Sequence, residues 1–119
     1  MGLFHVPARL IGPTGFSMDL SLLVDTGATF VVLPEAIADR LEVRPARVCP
    51  VRVAGGRLEN WSLGEVRLEL NGVEIPTTCL IAAGGPALLG AVALESLLLA
   101  VDPVNQRLVP VTAFVLTAA

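Results

Sequence analysis

The residue whose type and position best suit it to catalysis is Asp25, which follows an apolar run at residues 20–24 (LSLLV) and precedes Thr26 and Gly27. Carboxylates are rarely buried without a partner, so an aspartate at the end of such a run needs a physical explanation. The glycine permits a tight turn or the close approach of another group. A carboxylate held in this way can take a proton from water or give one to a leaving group.

The other three aspartates of the chain have ordinary structural interpretations. Asp19 falls on the polar side of an alternating strand pattern, and Asp39 falls on the polar face of a predicted short helix. Asp102 precedes a proline in a predicted turn. Asp25 is therefore the candidate for catalysis.

A second segment, residues 87–90 (ALLG), opens a predicted helix about sixty residues after Asp25. With this segment and residues 22–29 (LLVDTGAT), the chain resembles the retropepsin-like aspartic proteases. Their signature is an apolar strand, then Asp-Thr-Gly-Ala, and later two large apolar residues and a glycine that lead into a helix. Similar small bacterial proteins carry Ala-x-Gly at a hairpin tip, which residues 54–56 (AGG) match.

The resemblance covers most of the chain and implies its fold and activity. It implies one domain over residues 1–119 with an all-β fold, a small closed, barrel-like lobe with two short helices that forms a homodimer. The implied activity is that of an aspartic endopeptidase acting on a peptide or protein substrate. In the family, the terminal strands interleave into a shared sheet, so the apolar tail VPVTAFVLTAA is expected at the dimer interface.

The chemistry of peptide hydrolysis explains why a dimer is needed. A base must activate water and an acid must protonate the leaving group. Two carboxyl groups about 3 Å apart that share one proton supply both functions. Groups this close cannot both ionise, so one is a carboxylate and the other stays protonated. The chain contributes one Asp-Thr-Gly, so the second carboxylate must come from Asp25 of a twofold-related copy.

The resemblance also assigns roles to the neighbours of Asp25. Thr26 would hydrogen-bond across the twofold axis, and Gly27 would let backbone approach the carboxylates and substrate. Ala28 and Thr29 would line the peptide-binding cleft. A flap that closes over substrate and excludes water would have its tip at four further substrate-binding residues, Ala54, Gly55, Gly56 and Arg57.

Two positions distinguish this chain from many viral relatives, and a third, Ala28, bears on the pH dependence of activity. Those relatives carry an acidic residue where this chain has Thr29 and an arginine where it has Ala91, so both partners of that pair are absent together. Ala28 has no hydroxyl to donate to the catalytic carboxylate and lower its pKa. We therefore expect an activity optimum at mildly acidic to neutral pH.

Composition excludes several other classes. The chain has 119 residues, of which 54% are hydrophobic and 16% charged, and the surplus of apolar residues favours oligomerisation. Its net charge is −3 and its eight arginines are scattered, so no nucleic-acid partner is expected. Cys49 and Cys79 match no metal motif, and no cofactor or metal is expected. With no signal-peptide pattern and no membrane span, we expect a soluble cytoplasmic protein.

The remaining residues predict short strands with two helices. Strands are expected at residues 6–11 and 16–25, joined by a turn, and Asn71-Gly72 is the clearest hairpin signal. A hairpin around Gly55-Gly56 would join residues 48–54 and 57–63, and the pattern of residues 65–70 predicts another strand. Further strands are expected at residues 78–82, 99–101 and 107–111. The helices are expected at residues 34–41 and 91–98, the latter with Leu94, Leu97 and Leu98 on one face.

Two questions stay open at the level of sequence. An alternative to the protease is a catalytically weak dimerising or peptide-binding module with the same fold, and a further one is a self-processing domain released from a precursor. The chain begins with Met1, which disfavours the precursor. Trp61, the only tryptophan, is either a substrate-pocket or dimer-contact aromatic or a packing residue of the core.

Overall fold

The computed structural model describes residues 2–116, with side chains from residue 4 onward. This range forms nine strands and two short helices. Their bounds are β1 Gly2–Ile11, β2 Ser17–Asp25, β3 Val31–Pro34, α1 Glu35–Arg40, β4 Arg47–Arg52, β5 Leu58–Leu70, β6 Val73–Ala82, β7 Leu88–Leu89, α2 Ala91–Ser96, β8 Leu99–Asp102 and β9 Arg107–Pro110.

Most of the strands belong to one sheet that closes on itself. Seven strands follow the order β1-β2-β7-β3-β6-β5-β4, and β1 also pairs with β5. The β1–β5 contact joins Arg9 to Glu69 and Leu10 to Leu68, so six strands form a ring and β4 lies outside it. β8 and β9 form a separate two-stranded ribbon. The prediction of an all-β, barrel-like lobe with two short helices is confirmed, whereas the homodimer and the single domain over 1–119 stay predictions.

The hairpin of β1 and β2 depends on a glycine at its turn. A Cβ atom on Gly12 would lie 1.9 Å from the carbonyl oxygen of Leu41, so this position has room only for hydrogen. The apolar residues at every second position from 16 to 22 predict one buried face for the strand at residues 16–25, and Leu22 is fully buried, as is Val24, which continues the spacing. Phe16, the first residue of that face, precedes β2 and is 47% exposed.

β5 is one strand of 13 residues, where the sequence predicted two separate strands on either side of Gly64. Gly64 continues the strand because its missing side chain makes room for Val43, whose Cγ1 would lie 2.8 Å from a Cβ at this position. The first half of β5 pairs with β4, and residues 62–70 pair with β6. One long strand therefore connects the hairpin of β4 and β5 rigidly to the ring.

Helix α2 is shorter than predicted. It ends at Ser96, with Leu97 as its C-cap, and Leu98 follows with a left-handed backbone (φ +55°). Leu94 and Leu97 are buried as predicted, but the Leu98 side chain is 44% exposed. The helix ends here because the amide of Leu98 donates to the carbonyl of Glu95, which is the tightening typical of a helix C-terminus.

The buried apolar residues form two clusters. The larger one fills the ring and includes Leu10, Leu22, Leu33 and Leu68, all fully buried. The smaller one, which we call the cleft cluster, lies beneath β4 and the loop that follows β2. Its members are Val32, Leu63, Leu80 and Ala82, with the half-buried Ala28, Phe30, Cys49, Val51, Trp61 and Leu88 packed against them.

The end of the described chain is exposed and apolar. Residues 111–116 have no regular structure, and Phe114, Val115 and Leu116 are each more than 80% exposed. The placement of the tail at a dimer interface stays a prediction, and its last three residues, 117–119, lie outside the described range. Neither helix within residues 2–116 has the length and apolar character that crossing a membrane requires.

One buried polar group lacks compensation. The hydroxyl oxygen of Thr77, on β6 opposite Val66, is buried and has no hydrogen-bond partner among the described residues. We predict that Thr77→Val raises the free energy of unfolding by about 1 kcal/mol, because it removes the uncompensated hydroxyl at nearly constant volume. Chemical denaturation measures this change. The half-buried neighbour Thr78 gives the control, Thr78→Val, for which a change below about 0.5 kcal/mol is expected. Destabilisation by Thr77→Val would show that the Thr77 hydroxyl makes a stabilising hydrogen bond and would contradict its being unsatisfied.

Candidate active site

Asp25 is the last residue of β2, and a two-residue strand fixes the place where β2 ends. β7 pairs in parallel with β2, with Leu23 opposite Leu88 and Val24 opposite Leu89. Leu88 also lies opposite Val32 of β3 in antiparallel register. The chain between β2 and β3 must therefore pass around β7. We call this segment, residues 25–30, the Asp25 loop.

The Asp25 loop turns back on its own carboxylate. The amide of Gly27 donates to Oδ1 of Asp25 at 2.9 Å, and the amide of Ala28 donates to the Asp25 carbonyl at 3.1 Å. The first bond orients the carboxylate and favours its ionised form, because the donor stabilises negative charge. Asp25 itself is only partly buried. The loop thus presents a carboxylate of fixed orientation to solvent.

The first turn of α2 anchors this loop through backbone atoms. The amide of Ala91 donates to the carbonyl of Ala28 at 2.8 Å, and the amide of Val92 donates to that of Thr29 at 2.9 Å. These amides belong to the helix N-terminus, where no intrahelical acceptor exists. Backbone hydrogen bonds therefore join the two segments that contain Thr29 and Ala91, positions at which this chain has no charged side-chain pair.

Gly90 is a glycine because of space. Its φ of −96° is open to any residue, but a Cβ atom there would lie 2.3 Å from the carbonyl oxygen of Phe30 and 2.7 Å from that of Ala28. The sequence singled out residues 87–90 as a motif. It gave no reason for the glycine, which only the packing of the loop against α2 reveals.

A cavity of about 730 Å³ opens beside Asp25. Of the residues predicted from sequence, six line this cleft, namely Asp25, Gly27, Ala28, Thr29, Ala54 and Gly56. Three others, Thr26, Gly55 and Arg57, do not line it and are exposed. The structure thus gathers both predicted segments, the Asp25 loop and the tip of the hairpin, around one cavity.

The other lining residues were not predicted from sequence, except that Trp61 was left open. They are Phe30, Val32, Cys49, Pro50, Val51, Arg52, Val53, Trp61, Leu80 and Leu88. Cys49 and Val51 of β4 and Val53 just after it are half-buried, and the spacing of these apolar residues at every second position was a usable signal in the sequence. Leu80 is adjacent to Val32 through the pairing of β6 with β3, a long-range contact that no local pattern reveals. Trp61 both lines the cleft and packs in the cleft cluster.

The hairpin of β4 and β5 has a tight tip, which we call the flap tip (residues 53–57). The amide of Val53 donates to the carbonyl of Arg57 at 2.9 Å, and that of Gly56 donates to Val53 at 3.0 Å. Gly55 and Gly56 have φ of +94° and +88°, which requires glycine at both positions. Arg52 donates from Nη1 to the carbonyl of Gly56 at 2.7 Å and so braces the tip.

The electrostatics of the cleft are simple. Asp25 and Arg52 are the only charged side chains among its described lining residues. Next to the cleft lining, the indole of Trp61 and then the guanidinium of Arg57 lower the pKa of the Glu59 carboxyl by hydrogen bonding to it.

Burial raises the pKa of the Cys79 thiol to about 11, so this cysteine is neutral and unreactive at ordinary pH. Among residues 2–116, no three His, Cys, Asp or Glu side chains group as a metal site.

Known proteins match this chain over the segments that form the cleft. A family model described as "gag-polyprotein putative aspartyl protease" matches residues 17–96, which include the Asp25 loop, the flap tip and α2. The structure of EIAV protease complexed with the inhibitor HBY-793 is similar, with a TM-score of 0.63 and 25% identity over 79% of this chain and 86% of that one. The solution structure of Simian Foamy Virus (mac) protease shares the fold, with a TM-score of 0.54 and 18% identity over 77% of this chain and 94% of that one. No curated protein matches the sequence.

The contact between α2 and the Asp25 loop gives a direct prediction. Gly90→Ala should lower the free energy of unfolding by about 2–3 kcal/mol, because the added methyl overlaps two carbonyl oxygens of the loop. Chemical denaturation measures the loss. Gly84→Ala is the matched control, since a Cβ there meets no atom within 4 Å, and it should change stability by less than about 0.5 kcal/mol. Equal stabilities of the two variants would contradict the close packing of Gly90.

Proposed function

The chain belongs to the retropepsin-like aspartic protease family, and on this basis we propose that it is an aspartic endopeptidase whose active site contains two Asp25 carboxylates, one from each subunit of a homodimer. The observation that carries the proposal is the position of Asp25. It is the one carboxylate among the described lining residues of a cleft that is otherwise mostly apolar.

The proposed reaction requires the second carboxylate. One Asp25, ionised, takes a proton from water as the water oxygen attacks the carbonyl carbon of the scissile bond. The other, protonated, gives its proton to the carbonyl oxygen, so that a tetrahedral intermediate with two hydroxyl groups forms. As the C–N bond breaks, the proton gained from water passes to the leaving nitrogen, and one hydroxyl of the intermediate returns a proton to the second carboxylate, which releases the carboxyl product and restores the dyad. A single carboxyl group cannot hold both protonation states at the same moment. Water and two carboxyl groups complete this reaction, so the proposal includes no cofactor.

Features around Asp25 support a shared site. Thr26 is exposed beside Asp25 and does not line the cleft, so it is accessible to a second copy of the loop. The exposed apolar residues Phe114, Val115 and Leu116 provide surface that a second subunit can bury. Thr26 is proposed to bind across the twofold axis, and Gly27 to let the substrate backbone approach the dyad.

The substrate is proposed to be an extended peptide held between the Asp25 loop and the flap tip. Ala28 and Thr29 would line the cleft beside the scissile bond, and the flap-tip residues would cover it and exclude water. The apolar lining from the cleft cluster favours apolar side chains in the bound peptide. The Arg52 brace and the two glycines give the tip a defined shape and a place to bend.

The peptidase proposal is tested by removing the carboxylate. Asp25→Asn should lower the rate of cleavage of a peptide library at pH 4–7 by a factor of about 10³ or more, because the base is lost. Asp39→Asn, on the exposed face of α1, is the control and should cleave normally. Equal cleavage by Asp25→Asn would contradict the proposal. If wild type binds peptides as a dimer but cleaves none, the chain is instead a peptide-binding module.

The residue after Gly27 should set the acidic limit of activity. Ala28→Ser introduces a hydroxyl beside Asp25 that stabilises the ionised carboxylate, so the pKa of the dyad falls. The acidic limb of the pH–rate profile should then move to lower pH by about 0.5–1 unit. Wild type should be most active at mildly acidic to neutral pH, and an optimum below about pH 3 would contradict the expectation.

A further inference from the structure

Three residues on one side of the flap hairpin form a chain of polar contacts. Arg57, Glu59 and Trp61 follow one another at every second position, so they share a face. Arg57 donates from Nε to Oε2 of Glu59 at 3.0 Å, and the indole nitrogen of Trp61 donates to Oε1 at 2.9 Å. Each carboxylate oxygen of Glu59 thus binds a different neighbour.

This chain of contacts runs from the flap tip to the wall of the cleft. Arg57 ends the tip, whereas Trp61 lies opposite Cys49 of β4 and packs in the cleft cluster. The indole lines the cavity that contains Asp25. Its orientation therefore sets part of the shape of the cavity.

We propose that Glu59 is a positioning residue that holds the Trp61 indole in the cleft wall, and that Trp61 gives the cleft a preference for a large apolar side chain in the bound peptide. The inference rests on the part of the proposed function in which this cleft binds peptides. It does not require that the bound peptide is cut.

The physical basis is the amphipathic character of tryptophan. A half-buried indole needs an acceptor for its N–H, and the acceptor selects one orientation of the ring. Without Glu59, the ring regains rotamer freedom, and binding a peptide must order it again. Arg57 balances the charge of Glu59, so the carboxylate can stand beside an apolar wall while remaining ionised.

The experiment measures binding without cleavage. All variants are made in an Asp25→Asn background, and the probes are two fluorescein-labelled octapeptides that differ only in having phenylalanine or alanine at one central position. Fluorescence polarisation gives the two dissociation constants and hence the preference. Glu59→Gln keeps an oxygen acceptor for the indole, whereas Glu59→Met keeps the length and removes both oxygens. Glu65→Ala, exposed on the same strand outside the cleft, is the control.

The parent protein should prefer the phenylalanine peptide by about tenfold. Glu59→Met should reduce this preference to about twofold, with Glu59→Gln and Glu65→Ala near the parent value. Because Trp61 is the only tryptophan, intrinsic fluorescence reports its environment, and its emission should move to longer wavelength in Glu59→Met alone. A full preference in folded Glu59→Met, or unchanged emission, would overturn the role of Glu59.

A second variant covers the case in which Glu59→Met does not fold. Trp61→Leu removes the indole and retains an apolar side chain, so it should lose the phenylalanine preference, and its retention would overturn the inference. These measurements distinguish a wrong inference about Glu59 and Trp61 from a wrong proposal of peptidase activity. A wild type that cuts nothing but shows the predicted preferences rejects catalysis alone, whereas active cleavage with a preference insensitive to Glu59 and Trp61 rejects this inference alone.

Discussion

Two backbone hydrogen bonds, from the amides of Ala91 and Val92 to the carbonyls of Ala28 and Thr29, hold the loop that carries Asp25. They form only because Gly90 leaves room for the loop carbonyls to approach α2. The short strand β7 lies between β2 and β3, and because α2 follows it directly, the first turn of α2 lies beside the Asp25 loop. Leu89 of β7 and Ala93 and Leu94 of α2 are also buried in the larger apolar cluster, so the segment that holds the Asp25 loop is itself held by the core.

The division of the apolar residues into two clusters separates stability from binding. The larger cluster fills the ring with fully buried leucines and valines, the arrangement that stabilises a domain of this size. The cleft cluster is smaller, and several of its members are only half-buried because they face the cavity. Apolar surface left open at such a site is a cost to the free protein, and the proposed peptide substrate would remove this cost on binding. The long strand β5 belongs to both regions, so the flap hairpin has a rigid base and a free tip.

Local signals in the sequence predicted much of this arrangement. Three short segments predicted a loop or turn from the backbone needs of a few residues, and a loop or turn is present at each. They are the Asp-Thr-Gly segment, Asn71-Gly72 and the two glycines of the flap tip. Gly64 misled because a glycine inside a strand resembles a break until its neighbour Val43 is known. The β1–β5 closure, the place of Leu80 in the cleft and the contacts of Ala91 could not be predicted, because they join segments far apart in sequence.

The central claim is that the site is shared, so that one Asp25 is half of a catalytic unit. Mixing subunits tests this directly. Wild type and Asp25→Asn are co-refolded at one part to nine, with total protein constant and well above the dimer dissociation constant. If both carboxylates are needed and subunits pair at random, activity falls to about 1% of that of pure wild type. Activity near 10%, in proportion to the wild-type share, would show that each chain works alone and would contradict the account.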